Sequence, residues 1–426
     1  MADAVRARLA ELRRDLHRYP EPGWCEFWTT ARLVEEIQAI GVDELAVGEE
    51  AYDPAERMAV PSEDELTTWY QRALDRGADP DILEHLRGGE TGAVAVLDRG
   101  EGPTVGLRVD IDGLYIEESE DGGHIPAVED FRSETGETMH ACGHDTHMTW
   151  GLATLEAIKE SDFSGRLVVF FQPAEEISGG GAPMAKSEYC DDIDYLFAVH
   201  VGLDHPTGEV VAGIERPLAM CHVDVEIEGT SAHAGKSPEE GSNAIQALGT
   251  AIENVYGIPR HSDGMTRVNV GRVEGGTASN IIAEEVEAVA EARGETTELM
   301  EYAKAELRRK FETAAEMHGC EADVDVVSES PRADSDPELV DVVAGVAEDV
   351  DSVEKVLPTA DFGASEDATF LMERVQDEGG LACYCIVGTD HPTSHHTPTF
   401  DVDERSLDMG VEVLTNSILS VAEERP

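Results

Sequence analysis

The stretch RLVVFFQPAEE, residues 166–176, passes from an apolar, β-rich run straight into a turn that carries two adjacent carboxylates. Three further runs end in the same way. TVGLRVD (104–110) stops just before Asp112, DYLFAVH (194–200) ends on His200, and LACYCIVGT (381–389) precedes HPTSHHTP (391–398). Each reads as a buried strand that delivers polar, metal-capable side chains at one end. Helical patterns such as MTWGLATLEAIKE (148–160) alternate with these runs. Strands alternating with helices predict an α/β fold with a mostly parallel sheet, whose ligands gather at the carboxyl ends of its strands.

Outside this frame the texture changes twice. Residues 218–329 alternate in HVDVEIEG (222–229), RVNVGRVEGG (267–276) and EEVEAVAEARG (284–294), with helical SNAIQALGTAIENVYG (242–257) and ELMEYAKAELRRKFETAAEMHG (298–319) among them. That pattern predicts a compact α+β module of two helices on a small antiparallel sheet. It interrupts a larger catalytic domain made of residues 1–217 and 330–426, because the last strand and the histidine cluster return only afterwards. Residues 48–92, rich in Glu, Asp and Pro, read as an insertion on the larger domain, with helices in SEDELTTWYQRALDRG (62–77) and DPDILEHLRGG (79–89). MADAVRARLAELRRDLH (1–17) and TTARLVEEIQAIG (29–41) carry the helical apolar period, the second closing at Gly41 as a C-cap.

The 426 residues hold 90 Asp and Glu against 31 Lys and Arg, a formal net charge of −59. Such a surface argues against nucleic acid or an anionic membrane as partner. Only six of the cations are lysines, and the acids are spread through every segment rather than held in one tail. Self-repulsion on that scale opposes compaction in dilute buffer, but at molar salt the Debye length falls to about 3 Å. The expectation is a halophile's protein; with 41% hydrophobic residues the chain is not a disordered acidic one. The first residues form an amphipathic helix pattern rather than a signal peptide, and no run approaches the ~18 apolar residues of a membrane span, so the protein is expected in the cytoplasm. Seven irregularly spaced cysteines read as reduced thiols, one of them a candidate ligand.

In MHACGHDTH (139–147), Cys142 and His144 stand two apart, which places both side chains on one side of an extended segment just before a helix. Thiolate and imidazole both suit a first-row transition metal, although a lone Cys-x-His is as often ordinary packing. Here Glu175, Glu176, His200, His395 and His396 join it. Adjacent glutamates are usually just solvated, and a histidine ending an apolar run is usually a core residue; position at a common sheet edge favours chemistry instead. One glutamate would bind metal while the other moves a proton from water to a leaving nitrogen. Of the histidines at 391, 395 and 396, His396 is the expected ligand. Cys383 and Cys385, alternating within a strand, read as core.

Together LRVDIDGL (107–114), MHACGHDTH, FQPAEE (171–176), AVHVG (198–202), EGTSAHAG (228–235), GGTASNIIAEE (275–285), SEDATFLM (365–372) and HHTPTFDVDE (395–404) resemble the M20 metallopeptidases and amidohydrolases, in the branch with aminoacylases, hippurate hydrolases and auxin-conjugate hydrolases. The resemblance spans nearly the whole chain in the family's order. It implies that Cys142, His144, Glu176, His200 and His396 hold two divalent ions, Mn or Zn with Mn favoured, and that Glu175 is the general base and acid. It implies that Asp110 orients a ligand from behind. Residues 218–329 correspond to the family's lid and dimerisation domain, where His233 would reach across a dimer to stabilise the oxyanion, and Asn280 and Arg293 would contact substrate. Lys236 reads as a solvated loop residue. Thr146 and Val109 depart from the family pattern without touching the chemistry. The implied activity is hydrolysis of N-acyl or N-aroyl amino acids such as p-aminobenzoyl-glutamate by a homodimer. The alternatives are a broader carboxypeptidase or dipeptidase, or a largely non-catalytic partner in a heteromer with a homologous chain.

Overall fold

The computed structural model describes residues 3–426. Among these, the strands in chain order are β1 (Glu44–Val47), β2 (Ala93–Asp98), β3 (Thr104–Asp110), β4 (Arg166–Gln172), β5 (Tyr195–Val201), β6 (Glu209–Glu215), β7 (Ala219–Glu228), β8 (Ala232–His233), β9 (Thr266–Gly275), β10 (Ile281–Ile282), β11 (Glu285–Gly294), β12 (Glu321–Ser330), β13 (Lys355–Asp361) and β14 (Leu381–Val387). The chain divides into two compact units. The first runs to Glu215 and takes in Ala333–Phe362 and Asp367–Pro426; the second is Arg216–Arg332 with Gly363–Glu366. The tetrapeptide 363–366 thus belongs with the smaller unit, whereas the sequence pattern places it with the larger.

In the first unit eight strands form one sheet in the order β1-β2-β4-β3-β5-β14-β6-β13. Its centre, β4-β3-β5-β14, is a continuous parallel block. The flanks are mixed: β1, β2 and β4 pair antiparallel, as do β14 and β6, while β6 and β13 are parallel. The central block consists of the same four apolar runs that end in polar clusters. Their burial explains the composition, since β5 is buried at every residue and β4 at all but its first, which only unbroken apolar runs can satisfy. Being parallel and adjacent, the four strands bring Asp110, Gln172, Val201 and Val387 to one edge.

Helices cover this sheet, among them Asp3–His17, Phe27–Ile40, His144–Glu160 and Arg405–Glu424. Phe27–Ile40 ends as expected at Gly41, whose φ of +78° lets its N–H return to the Ile37 carbonyl. The insertion supplies two helices, Glu63–Asp75 capped by Ser62 and Pro80–His85 capped by Asp79, and it buries Leu66, Trp69 and Leu83 in the main core. Among the described residues no helix is long and apolar enough to cross a membrane.

The second unit is a four-stranded antiparallel sheet, β12-β7-β11-β9, with helices Ala244–Val255 and Thr297–Met317 over one face. Val223, Val225, Val286, Ala288, Leu307 and Phe311 fill the space between. Alternate residues face outward and are acidic. Glu228 stands opposite both Glu285 and Glu321, and Glu226 opposite both Glu287 and Asp323, with Glu274 beyond Glu287. Asp224 faces Asp325 in the next row.

Candidate metal centre

The carboxyl edge of the parallel block is where the donors meet. His200 lies within β5, and Glu175 and Glu176 follow β4 through Pro173 and Ala174. Cys142 and His144 come from the turn into the helix His144–Glu160, so His144 is the first helical residue rather than part of an extended segment. Gly143 makes that turn with φ +85°, and a Cβ there would lie 2.4 Å from Val201 Cγ1. Only glycine meets both demands.

The donor atoms form linked triangles. Cys142, His144 and His200 offer ligand atoms within 4.8 Å of one another, as do Cys142, Glu176 and His396, and His144, Glu175 and Glu176. Cys142 Sγ is 3.4 Å from His200 Nε2; His144 Nε2 is 3.7 Å from Glu176 Oε1 and 3.8 Å from Glu175 Oε2; His396 Nε2 is 3.4 Å from Glu176 Oε2. His144 Nε2 and Glu176 Oε1 are buried without a hydrogen-bond partner. Buried polar atoms are normally satisfied, and leaving one unpaired is costly. Divalent cations would satisfy both, and the mix of thiol, imidazoles and carboxylates suits them. Two triangles share Cys142, so these residues would hold two neighbouring divalent ions.

The surroundings aim these groups. His144 Nδ1 donates to the Asp112 carbonyl at 3.0 Å and lies 3.2 Å from Asp112 Oδ1, which leaves Nε2 as the outward lone pair. Asp112 Oδ2 accepts the Glu176 N–H at 3.0 Å, so one carboxylate sets both ligands. His200 Nδ1 donates to the Val201 carbonyl at 2.8 Å, again freeing Nε2. His396 adopts φ +59° and ties its N–H to the Ala141 carbonyl, while His395 points Nε2 at the Val201 carbonyl.

Asp110 lies behind the donor set. It stands 3.6 Å from His144 Nδ1, farther than Asp112, and instead bonds His147 and Arg108. Asp112, two residues past the end of β3, makes the closer contact with His144. His147 accepts the Val201 N–H at Nε2 and gives Nδ1–H to Asp110, so both its nitrogens are engaged and it buttresses the strand that bears His200. Arg108, fully buried, links Asp110, Gln172 and Asp367. Behind the centre, Arg13 pairs with Asp145 and Asp401, and His17 bridges Asp145 at 2.7 Å and Glu118 at 3.0 Å. The sequence reading missed Asp112's orienting role, His147, Arg108, Asp367 and this rear network. Its one available signal was the Asp-x-Asp alternation at 110 and 112.

Electrostatics point the same way. Burial, with Glu176 and Glu175 adding, pushes the Cys142 thiol far up, and burial with His147 and His395 pushes His200 down. Burial raises Glu176 to about 8 against the pull of His144. For His144 burial opposes the charge, but Asp110 and then Asp112 outweigh it and raise it to about 10. The pocket thus holds Cys142, Glu176 and His200 toward their neutral forms and a positive charge on His144, and a cation would take the place of that charge and favour the ionised thiol and carboxyl.

The remaining candidates lie in the second unit. His233 and Asn280 are exposed neighbours, since β8 pairs with β10 and the Asn280 carbonyl accepts the Ala234 N–H at 3.0 Å. Arg293 is not with them. It sits near the far end of β11, held by Glu291 at 3.1 Å. Lys236 is an exposed loop residue; back in the first unit, Cys383 and Cys385 are fully buried in β14.

The sequence model of the peptidases M20/M25/M40 matches residues 106–420. The indole-3-acetyl-aspartic acid hydrolase of Enterobacter agglomerans is 38% identical over 98% of this chain and 96% of its own. A p-aminobenzoyl-glutamate hydrolase subunit of Escherichia coli (strain K12) is 36% identical over 98% and 97%. The crystal structure of an aminobenzoyl-glutamate utilization protein from Klebsiella pneumoniae superimposes with a TM-score of 0.84 at 31% identity, covering 98% of this chain and 97% of that one. With its cation-ready cluster at the edge of a parallel sheet and relatives of equal length throughout, the chain belongs to peptidase family M20/M25/M40.

Proposed function

We infer that this protein is a dinuclear metal-dependent amidohydrolase that splits the amide bond between an acyl or aroyl group and an amino acid. One observation carries the reading: two donor triangles share Cys142, with the Glu175 carboxylate beside them. Indole-acetyl-aspartate and aminobenzoyl-glutamate, after which the relatives are called, share an aromatic acyl part and an acidic amino acid, and that is the expected substrate class.

Two divalent ions held by Cys142, His144, Glu176, His200 and His396 would polarise the scissile carbonyl and acidify a water. The Glu175 carboxylate takes a proton from that water as its oxygen bonds to the carbonyl carbon. It then gives the proton to the nitrogen as the C–N bond breaks, releasing amine and carboxylate products. His233 is assigned to the oxyanion, acting across a homodimer, and Asn280 to the substrate. Arg293 is the weaker substrate candidate because Glu291 already grips its guanidinium. Asp110 is assigned to positioning the ligands from behind, through its hydrogen bond to His147 and its charge beside His144.

Manganese is the proposed working ion, with zinc the alternative that these donor types do not separate. The seven cysteines are all free and buried, which supports residence in a reducing cytoplasm, and the charge of −59 supports a salt-rich one. The Escherichia coli relative is one subunit of its hydrolase, which favours a second reading, a chain that works only with a homologous partner. The deciding assay uses protein purified in high KCl, stripped of metal and reloaded with Mn or Zn, against aroyl-glutamates, acyl-aspartates and dipeptides. Hydrolysis of the aroyl and acyl conjugates by the chain alone is expected. Turnover that appears only after a second chain is added would favour the partner reading, and no turnover in any combination would sink both.

A further inference from the structure

We propose that Glu26 is a positioning residue for the reaction, fixing the turn that presents the twin glutamates to substrate. The role rests on Glu175 as the proton carrier, but it concerns a residue 148 positions before Ala174 in the chain. Glu26 is fully buried, and its Oε1 accepts the Ala174 N–H at 2.7 Å. Ala174 is the residue immediately before Glu175, and it holds the left-handed φ of +57°. For a residue with a side chain that conformation is strained and persists only where the surroundings impose it.

Three contacts impose it here. Besides the Glu26 bond, the Gly179 N–H returns to the Ala174 carbonyl at 2.8 Å and closes the turn. Gly23, in the same PEPGWCE segment as Glu26, packs so closely that a Cβ would lie 3.0 Å from Ala174 Cα. Glu26 is itself held, because its Oε2 meets Thr91 Oγ1 at 2.6 Å, and Thr91 is buried where the insertion rejoins β2. Ala174 N–H is thus the anchor of the Pro173–Glu176 turn on one side, as Asp112 is at Glu176 N–H on the other. Burial, with Asp112 adding, pushes the Glu26 carboxyl well up, and the carboxyl accepts from Ala174 N–H at one oxygen and from the Thr91 hydroxyl at the other. Glutamine keeps the acceptor for Ala174 N–H, and its amide N–H can donate to the Thr91 hydroxyl oxygen in place of the bond Glu26 accepts. A base that must lie within about 3 Å of a water and then of a nitrogen loses rate steeply when its backbone shifts, roughly a hundredfold for a misplacement of about 1 Å.

The test compares Glu26→Gln, Glu26→Leu, Thr91→Val and Glu175→Gln in the metal-reloaded protein, reading kcat, KM, bound metal per chain and thermal midpoint. Glu26→Gln should keep kcat within about threefold. Glu26→Leu, which fills the space but accepts no hydrogen bond, should lose about tenfold to a hundredfold in kcat, with KM and bound metal changed less than about threefold. Thr91→Val should lose kcat in the same sense by a smaller factor, and it serves as the test if Glu26→Leu does not fold. Full kcat in Glu26→Leu, or in Thr91→Val when it alone is soluble, overturns the positioning role, as does a Glu26→Gln loss equal to that of Glu26→Leu. If Glu175→Gln keeps turnover, the proton-carrier assignment fails first and the positioning role falls with it.

Discussion

Glu175 and Cys142 stand within one cluster but are predicted to fail differently when altered. Glu175→Gln should retain its metal and lose about a hundredfold to ten-thousandfold in kcat, because only proton transfer is removed. Cys142→Ala should lose metal, as measured by elemental analysis of the dialysed protein, because two donor triangles lose their common corner. Equal metal loss in both would mean the two roles are misassigned. His200 was legible as a candidate because it ends an apolar run, and Cys142 because it stands two residues before His144, and these require only pattern and spacing. Asp112 was not legible in its role, since its grip on His144 and Glu176 depends on the path of the backbone after β3. Arg108 was hidden altogether: nothing in a sequence distinguishes a buried arginine with three partners from a solvated one.

The rear network gives a pH prediction. Burial opposes charge on His17, but Glu118, and the hydrogen bond to Asp145 despite Arg13, raise it to about 9. Its stabilisation is therefore complete below its unfolded value of about 6.5 and is lost as pH rises from there through about 9. Glu118 and Asp145 are lowered despite burial, mainly by His17 for the first and Arg13 for the second, so their share is present above about 4.5 and fades in acid. Unfolding free energy should thus fall between pH 6.5 and 9 by on the order of 3 kcal/mol more in the native protein than in His17→Gln. Parallel profiles in chemical denaturation would refute this.

At the scale of elements, the four central strands and the two helices of the smaller unit followed directly from periodicity. The antiparallel flanks did not, because an apolar run has the same pattern in either direction. Gly143→Ala should disrupt the turn between Cys142 and His144 by forcing both φ +85° and a clash with Val201, at a cost of about 1–3 kcal/mol and with loss of metal. The outward face of β12-β7-β11 sets like charges directly opposite, an arrangement that destabilises strand pairs unless it is screened. Hydrogen exchange in this sheet should accelerate at low KCl before it does in β3, β4 and β5. Glu226→Lys should lift the low-salt thermal midpoint and leave the high-salt midpoint unchanged; equal shifts in both would mean that repulsion across the strands is not the cause.

For the whole molecule, a charge of −59 predicts a thermal midpoint that climbs with KCl over the molar range, and a flat response would remove the halophilic reading. The order of strands in the larger sheet carries a further consequence. β14 lies between β5 and β6, which are neighbours in sequence, yet it leaves the ribosome about 170 residues after β6. At ~5–20 residues per second the nascent chain spends roughly ten to thirty seconds with that slot unfilled, its apolar edges open to chaperones or to strands of other chains. His396 arrives later still. Newly made protein can therefore acquire its full set of cation donors only once His396 has emerged, and a product that stopped before β14 would have neither the closing strand nor a complete centre.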